Sequence, residues 1–484
     1  MFSRRVLVVP VLAVAAVGAC LEGALEPLET YSSGEVATTD TGATTGATTG
    51  DTTSGLFGCA STPCTLLLVS QTLDDRIDVF DVGAGTLRGR IALDLKPDAS
   101  GKQTSGNLLD EPYDLVLTDS DLLVAIGHYP DTDQGSLLRF PRALFADMQP
   151  GEELATSRYF KAGVYSNGVT ALAHGRREGI FLLAHPGGRV LVGVFANNLQ
   201  TTQWTTPSEV LVVDPADLTA SPGSIDLGAL PKPCIGGWRL EALDAAVSKV
   251  AIACDGSESV GVLSLPADFA TATLADAAAG VTGCGLNLAA DPQWSTQFVA
   301  SDGGGGFLAV QSQVGAAPKL WHVGGDCDLK GLPADDVPDD LKDVRLLRQP
   351  ALLRPVGAEP PLWLVAAGPT HDGVVVVRGG SSPALCGALG GLELLAAGNS
   401  PWALALDGAR AHLAVGAGPT SNPQTADGRG QVLWAKLEAT DLDACQVRAS
   451  QAIDLNAGMF AASDSSTWSR APNVMLLAEL GGEE

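Results

Sequence analysis

The chain has 484 residues, of which 29 are basic and 55 acidic, giving a formal charge of −26; 45% are hydrophobic and only 5% aromatic. That apolar fraction excludes a disordered chain. The acidic balance argues against a nucleic-acid binder, which needs a basic footprint against phosphate, and the single long apolar run argues against a multi-span membrane protein.

Residues 1–19 open with Arg4 and Arg5, followed by an apolar run from Val6 to Ala19 that Pro10 interrupts. The run is shorter than the about 20 residues of a spanning helix and fits the core of a secretory signal. It ends in Val17-Gly18-Ala19-Cys20, which resembles the lipobox of bacterial lipoproteins, with Val where Leu is usual. The resemblance implies that Cys20 is acylated and becomes the mature N-terminus, so that two or three acyl chains hold the protein to a membrane. The rival reading is an ordinary cleavable signal with an incidental cysteine. Leu21 stands where an Asp would favour inner-membrane retention, which points to the outer membrane of the cell envelope. Loss of the signal takes Arg4 and Arg5 with it and leaves a still more acidic chain, for which cations or basic partners are the electrostatically permitted ligands.

Residues 20–58 read as a tether. The stretch 37–55, ATTDTGATTGATTGDTTSG, has no large apolar side chain and cannot bury enough surface to offset chain entropy. A flexible stalk is expected, and its threonines leave glycosylation open.

Residues 59–484 read as an all-β domain. Segments 111–140, 168–195, 237–265, 286–312 and 400–437 share one rhythm: a short apolar strand, a polar turn, a second strand, a Gly/Asp turn and a third strand. Four such strands make one blade of a β-propeller, whose core grows with chain length by radial repetition. Blade starts near Pro112, Gly168, Gly237, Leu286, Ala351, Trp402 and Pro472 predict seven blades, with six or eight left open, and a pair of β-sandwiches is the rival architecture. Residues 65–93 supply three strands with no first strand before them, and 471–480 supply a lone first strand. The termini are therefore expected to share one blade and close the ring. In its blade rhythm the domain resembles bacterial YVTN/lactonase-like propellers, although it has no YVTN tetrapeptide, WD series or kelch double-glycine series.

Eight cysteines remain after Cys20, an even number that suggests disulfides in an exported chain, and no CxxC pair points to zinc. Eight cysteines allow about 105 pairings, which the sequence alone does not fix; blade placement favours Cys234 with Cys254 at one face and Cys386 with Cys445 at the other. Cys59–Cys64 would clamp the domain entrance, and Cys284–Cys327 would lie around the fifth blade.

The turns between second and third strands are expected to ring one face with Asp131, Asp133, Asp255, Asp302, Asp372 and Asp427. Carboxylates in such turns can ligate Ca²⁺, and the same residues also serve plain turn chemistry. His128, His185 and His371 are read as ending second strands, which would place a metal or acid–base cluster at the channel mouth, or three unrelated loop histidines. A lactonase-like centre would also need groups aimed down the channel, for which Asp114 and Asn287 are candidates. Tyr113, Trp238 and Trp402 recur near first strands, as blade packing or as a stacking ring for a ligand. No G-x-S-x-G, H-E-x-x-H or P-loop motif is present. Two functions follow: a non-catalytic envelope lipoprotein whose propeller face binds a protein or small-molecule ligand, and a lactonase-like or quinoprotein-like enzyme with its site at the channel mouth.

Overall fold

A computed structural model describes residues 64–71, 76–93, 109–129, 136–141, 152–155, 169–171, 178–195, 208–218, 220–254, 256–288, 294–312, 318–330, 350–354, 357, 360–367, 373–393, 395, 399–408, 411–419, 430–455 and 472–480. The signal, the stalk, Cys20 and Cys59 lie outside these residues. So do Asp131, Asp133, Asp255, His371, Asp372 and Asp427.

The fold is a seven-bladed β-propeller. Blade 1 contains β1 (Cys64–Gln71), β2 (Arg76–Asp81) and β3 (Thr86–Ala92); blade 2 contains β4 (Leu109–Leu117), β5 (Asp121–Tyr129) and β6 (Ser136–Pro141). A short strand β7 (Glu152–Ala155) follows, and β8 (Val169–Ala171) is the outer strand of blade 2. Blade 3 is β9 (Glu178–Ala184), β10 (Val190–Phe195), β11 (Glu209–Val213) and β12 (Gly223–Asp226); blade 4 is β13 (Gly237–Ala242), β14 (Lys249–Cys254), β15 (Ser259–Ser264) and β16 (Thr282–Asn287). Blade 5 has three strands among the described residues, β17 (Ser295–Ser301), β18 (Gly306–Ser312) and β19 (Lys319–Gly324). Blade 6 is β20 (Ala351–Arg354), β21 (Leu362–Ala366), β22 (Val374–Arg378) and β23 (Ala384–Ala388); blade 7 is β24 (Asn399–Asp407), β25 (His412–Pro419), β26 (Gln431–Asp441) and β27 (Gln446–Asp454). The last strand, β28 (Pro472–Leu480), is the inner strand of blade 1 and pairs antiparallel with β1, placing Leu67 opposite Leu477 and Leu68 opposite Leu476. The termini thus share a blade, as the strand pattern predicts.

Strands are lettered a to d from the axis outward. The middle strands are buried on both faces, as in β2 and β21, because each blade is sandwiched between two others. The outer strands alternate buried and exposed positions, as in β12 and β27. The core is accordingly a ring of seven apolar layers, one per blade junction. Strand periodicity divides blade 1 cleanly: Leu66 and Leu68 face blade 2, while Leu67 and Val69 face blade 7. Buried Asp78 ties the strands of this blade together, accepting from Gln71, Arg76 and Arg90.

Five of the seven blade starts fall on inner strands and two do not. The segment at Gly168 contributes β8, the outer strand of blade 2, and the segment at Leu286 ends β16, the outer strand of blade 4. Both are poor in large side chains, and β16 is exposed along much of its length, which suits a blade edge rather than a channel wall. An unforeseen feature is β7, which runs parallel to β3 and covers the edge of blade 1.

Candidate functional site

Connectivity fixes which turns share a face. Strands alternate in direction, so a–b and c–d turns lie on one face and b–c turns on the other. Correcting the two blade starts moves two predicted site residues. His185 follows β9, an a strand, and Asp302 follows β17, also an a strand, so both lie on the a–b face, opposite the predicted ring. His128 does lie on a b strand, β5, and its side chain is not described. His185 does not join it: its Nδ1 accepts from Gly187 N–H at 2.9 Å, and its ring packs on Phe269. Asn287 is on the outer strand β16, where its amide donates to Glu258 at 3.1 Å, well away from the channel wall. Of the two channel candidates only Asp114 is on an inner strand. Tyr113 packs beside the blade 3–4 layer, Trp402 lies on β24, and the side chain of Trp238 on β13 is not described.

The most developed cluster lies on the a–b face around blade 5. Residues 302–306, DGGGG, form the turn from β17 to β18. Asp302 is 4% exposed; its Oδ1 accepts from the amides of Gly304 at 2.7 Å and Gly306 at 2.9 Å. Glycine is required here on two counts. Gly305 has φ +90°, and a Cβ on Gly306 would come within 2.6 Å of the Asp302 carboxylate. The other oxygen, Oδ2, meets Nε2 of His322 on β19 at 2.9 Å, and both side chains are buried. Nδ1 of His322 accepts from the amide of Gly380 in blade 6 at 3.2 Å, so the ring's own proton is on Nε2 and is donated to Asp302. Trp363 closes the same junction, donating from Nε1 to Ser301 O at 2.9 Å. Burial pushes the Asp302 carboxyl up, but the His322 bond and the two glycine amides outweigh it and hold the group below its ordinary value.

Beside this pair opens a cavity of about 530 Å³. Its walls are the glycine turn, Gly324 and Gly325 after β19, Gly380 and Ser381 of blade 6, and two lysines with Asp326 and Asp328 beside them. Lys249 reaches Asp326 at 2.5 Å and Lys330 reaches Asp328 at 2.7 Å. Asp302 is therefore not one of a ring of free carboxylates: both its oxygens hold the turn and the histidine. Among the described residues no group of three or more His, Cys, Asp or Glu is placed to hold a metal ion.

The inner strands carry a second polar group. Asp114 on β4 accepts from the amide of Leu182 in blade 3 at 2.9 Å, and Glu241 on β13 accepts from Ser301 N–H in blade 5 at 3.3 Å. Arg239 lies 3.7 Å from Glu241. Burial raises both carboxyls, Asp114 to about 6. The folded chain therefore holds this proton more tightly than the unfolded chain, and the contribution of Asp114 to stability falls as pH rises from about 4 to 6. Asp114 also accepts from the Leu115 amide at 2.9 Å, so Asp114→Asn keeps an acceptor for only one of the two amides while it removes the titration. Urea unfolding should show the stability of the variant relative to the wild type rising between about pH 4 and pH 6; a difference that stays constant with pH would refute the assignment.

All three described disulfides match the predicted pairs: Cys234–Cys254, Cys284–Cys327 and Cys386–Cys445. Of the fourth predicted pair, Cys64 begins β1 and Cys59 lies outside the described residues.

No family model matches the chain, and no curated protein matches it in sequence. Solved structures do resemble it. Apo AztD from Citrobacter koseri is 12% identical, with 88% of this chain and 100% of that one covered at a TM-score of 0.39. A protein from Lactobacillus plantarum is 12% identical, with 86% and 100% covered at a TM-score of 0.48. The GH74 xyloglucanase from Xanthomonas campestris is 12% identical, with 80% and 52% covered at a TM-score of 0.45. No ligand or activity passes from these proteins to this chain.

Proposed function

We propose that this chain is an exported, lipid-anchored propeller of the bacterial cell envelope that acts as a non-catalytic binding module, taking its ligand in the a–b face cavity beside blade 5. The observation that carries this reading is how the best acid–base pair is held. Both nitrogens of His322 and both oxygens of Asp302 are engaged in protein hydrogen bonds, so the pair braces the cavity wall and has no free atom for a substrate. The lining around them is glycine backbone, serine and two lysines paired with Asp326 and Asp328, which suits polar recognition.

To test it, the full chain is equilibrated with a small-molecule extract of cell envelopes, separated by gel filtration and unfolded to release what it retained. A compound retained and returned with its mass unchanged supports binding. Catalytic conversion of the compound would overturn the non-catalytic reading.

The anchor rests on Val17-Gly18-Ala19-Cys20. Radiolabelled palmitate should enter the wild-type chain and not Cys20→Ala; equal labelling of the two would refute the anchor.

A further inference from the structure

The cavity beside blade 5 has a chemical bias. The chain contains nine lysines, and two of them, Lys249 and Lys330, line this one space. Gly324 and Gly325 bring them together: a Cβ on Gly324 would meet Lys330 Cε at 2.6 Å, and one on Gly325 would meet Lys249 Cδ at 3.2 Å. Each ammonium has three N–H donors and one carboxylate partner. Those partners are weakly held at the rim, with the Asp326 side chain 85% exposed and Asp328 52% exposed. Among the described residues, the amides of Gly305 and Gly325 have no protein acceptor, and both glycines line the cavity. The acceptors inside, Asp302 and His322, are already committed. The acidic chain repels anions at long range, and the lining sets Asp302, Asp326 and Asp328 against the two lysines, but each of these carboxylates is already engaged, whereas both ammoniums keep unused N–H donors for an oxyanion.

Resting on the binding reading above, we infer that the cavity is a site for a ligand carrying an oxyanion group, a carboxylate or a phosphate, clamped between Lys249 and Lys330. Asp326 and Asp328 hold the lysines in place when the site is empty, and the ligand displaces them. Their exposure makes that exchange easy, because exposed ion pairs are weak and solvent-screened.

The test uses the full chain with lysine labelled with ¹³C at Cε, so that each of the nine lysines reports separately. It is titrated with inorganic phosphate, citrate and the neutral sugar maltotriose at fixed ionic strength. Phosphate and citrate should shift the Lys249 and Lys330 signals saturably and leave the others still, and maltotriose should shift none. Lys249→Gln should abolish saturation. Asp326→Asn and Asp328→Asn should each tighten binding by about twofold to fivefold, the range set by an exposed ion pair. Weaker binding in the Asn variants, or equal shifts at all lysines, would overturn the assignment. So would lysine signals that stay still while the full chain retains a compound from the envelope extract. That last outcome removes the oxyanion assignment and leaves the binding reading standing.

Discussion

Removal of residues 470–484 is expected to give a chain that aggregates or fails to fold, while removal of residues 21–55 leaves the melting temperature nearly unchanged. The deleted C-terminal segment contains β28, the inner strand of blade 1. It pairs with β1 along its length and also packs beside β4 and β24, the inner strands on either side. Met475 and Ala478 are buried in two different inter-blade layers, and Leu476 and Leu477 pack against those same layers. Each large apolar side chain of this kind stabilises by ~1.5–3 kcal/mol, against a typical total of ~5–15 kcal/mol. Truncation also leaves β1 as an open edge beside the channel, a template for pairing with another chain. Size-exclusion chromatography and thermal melting distinguish the outcomes. A truncated chain that melts like the intact one would refute closure through a shared blade.

The second large effect is expected from the disulfides that join blades. Cys284 on β16, the outer strand of blade 4, bonds to Cys327 in the turn after β19 of blade 5. Cys386 on β23, the outer strand of blade 6, bonds to Cys445 in the c–d turn of blade 7. The two turn cysteines match in conformation, with φ 57° and 56°, and each amide turns back on the residue three before it. One device is thus used twice: the outer edge of a blade is stapled to the c–d turn of the next. Where blade 7 meets blade 1, the same position is filled without a covalent bond, by Ile453 of β27 against Gly85. The bridges span 43 and 59 residues, loops whose closure is worth ~4 kcal/mol each in the chain-entropy account. Replacing either pair with serines should lower stability by about that amount, and replacing both should approach the whole stability of the domain. Denaturant unfolding measures this directly. A loss below about 1 kcal/mol for either pair would show that the staple constrains little.

The architecture was legible because its signals are local or countable. Short apolar runs between Gly/Asp turns announce strands, and an unmatched strand at each end announces closure. An even cysteine count announces bridges, and blade placement picks out three pairs that the structure contains, from the many the count allows. Misassignment of two blade starts has an equally plain cause: a hairpin reads the same whether it joins strands a and b or b and c. Nothing in HPGGR or SDGGGG states which turn it is, and the error carried His185 and Asp302 to the wrong face. The site itself was less legible, because its contacts cross blades. Gly380 is 58 residues from His322, and Asp326 is 77 from Lys249. One signal was available: a histidine inside the apolar strand KLWHVG must find partners if buried, and His322 finds two.

The proposed binding site lies on the a–b face beside blade 5. Hydrogen–deuterium exchange on the full chain, with and without the compound it retains, tests that most directly. Exchange should slow in residues 302–306, 322–330 and 379–381, with the rest of the ring unchanged. Protection confined to the opposite face, with these three segments unaltered, would contradict it.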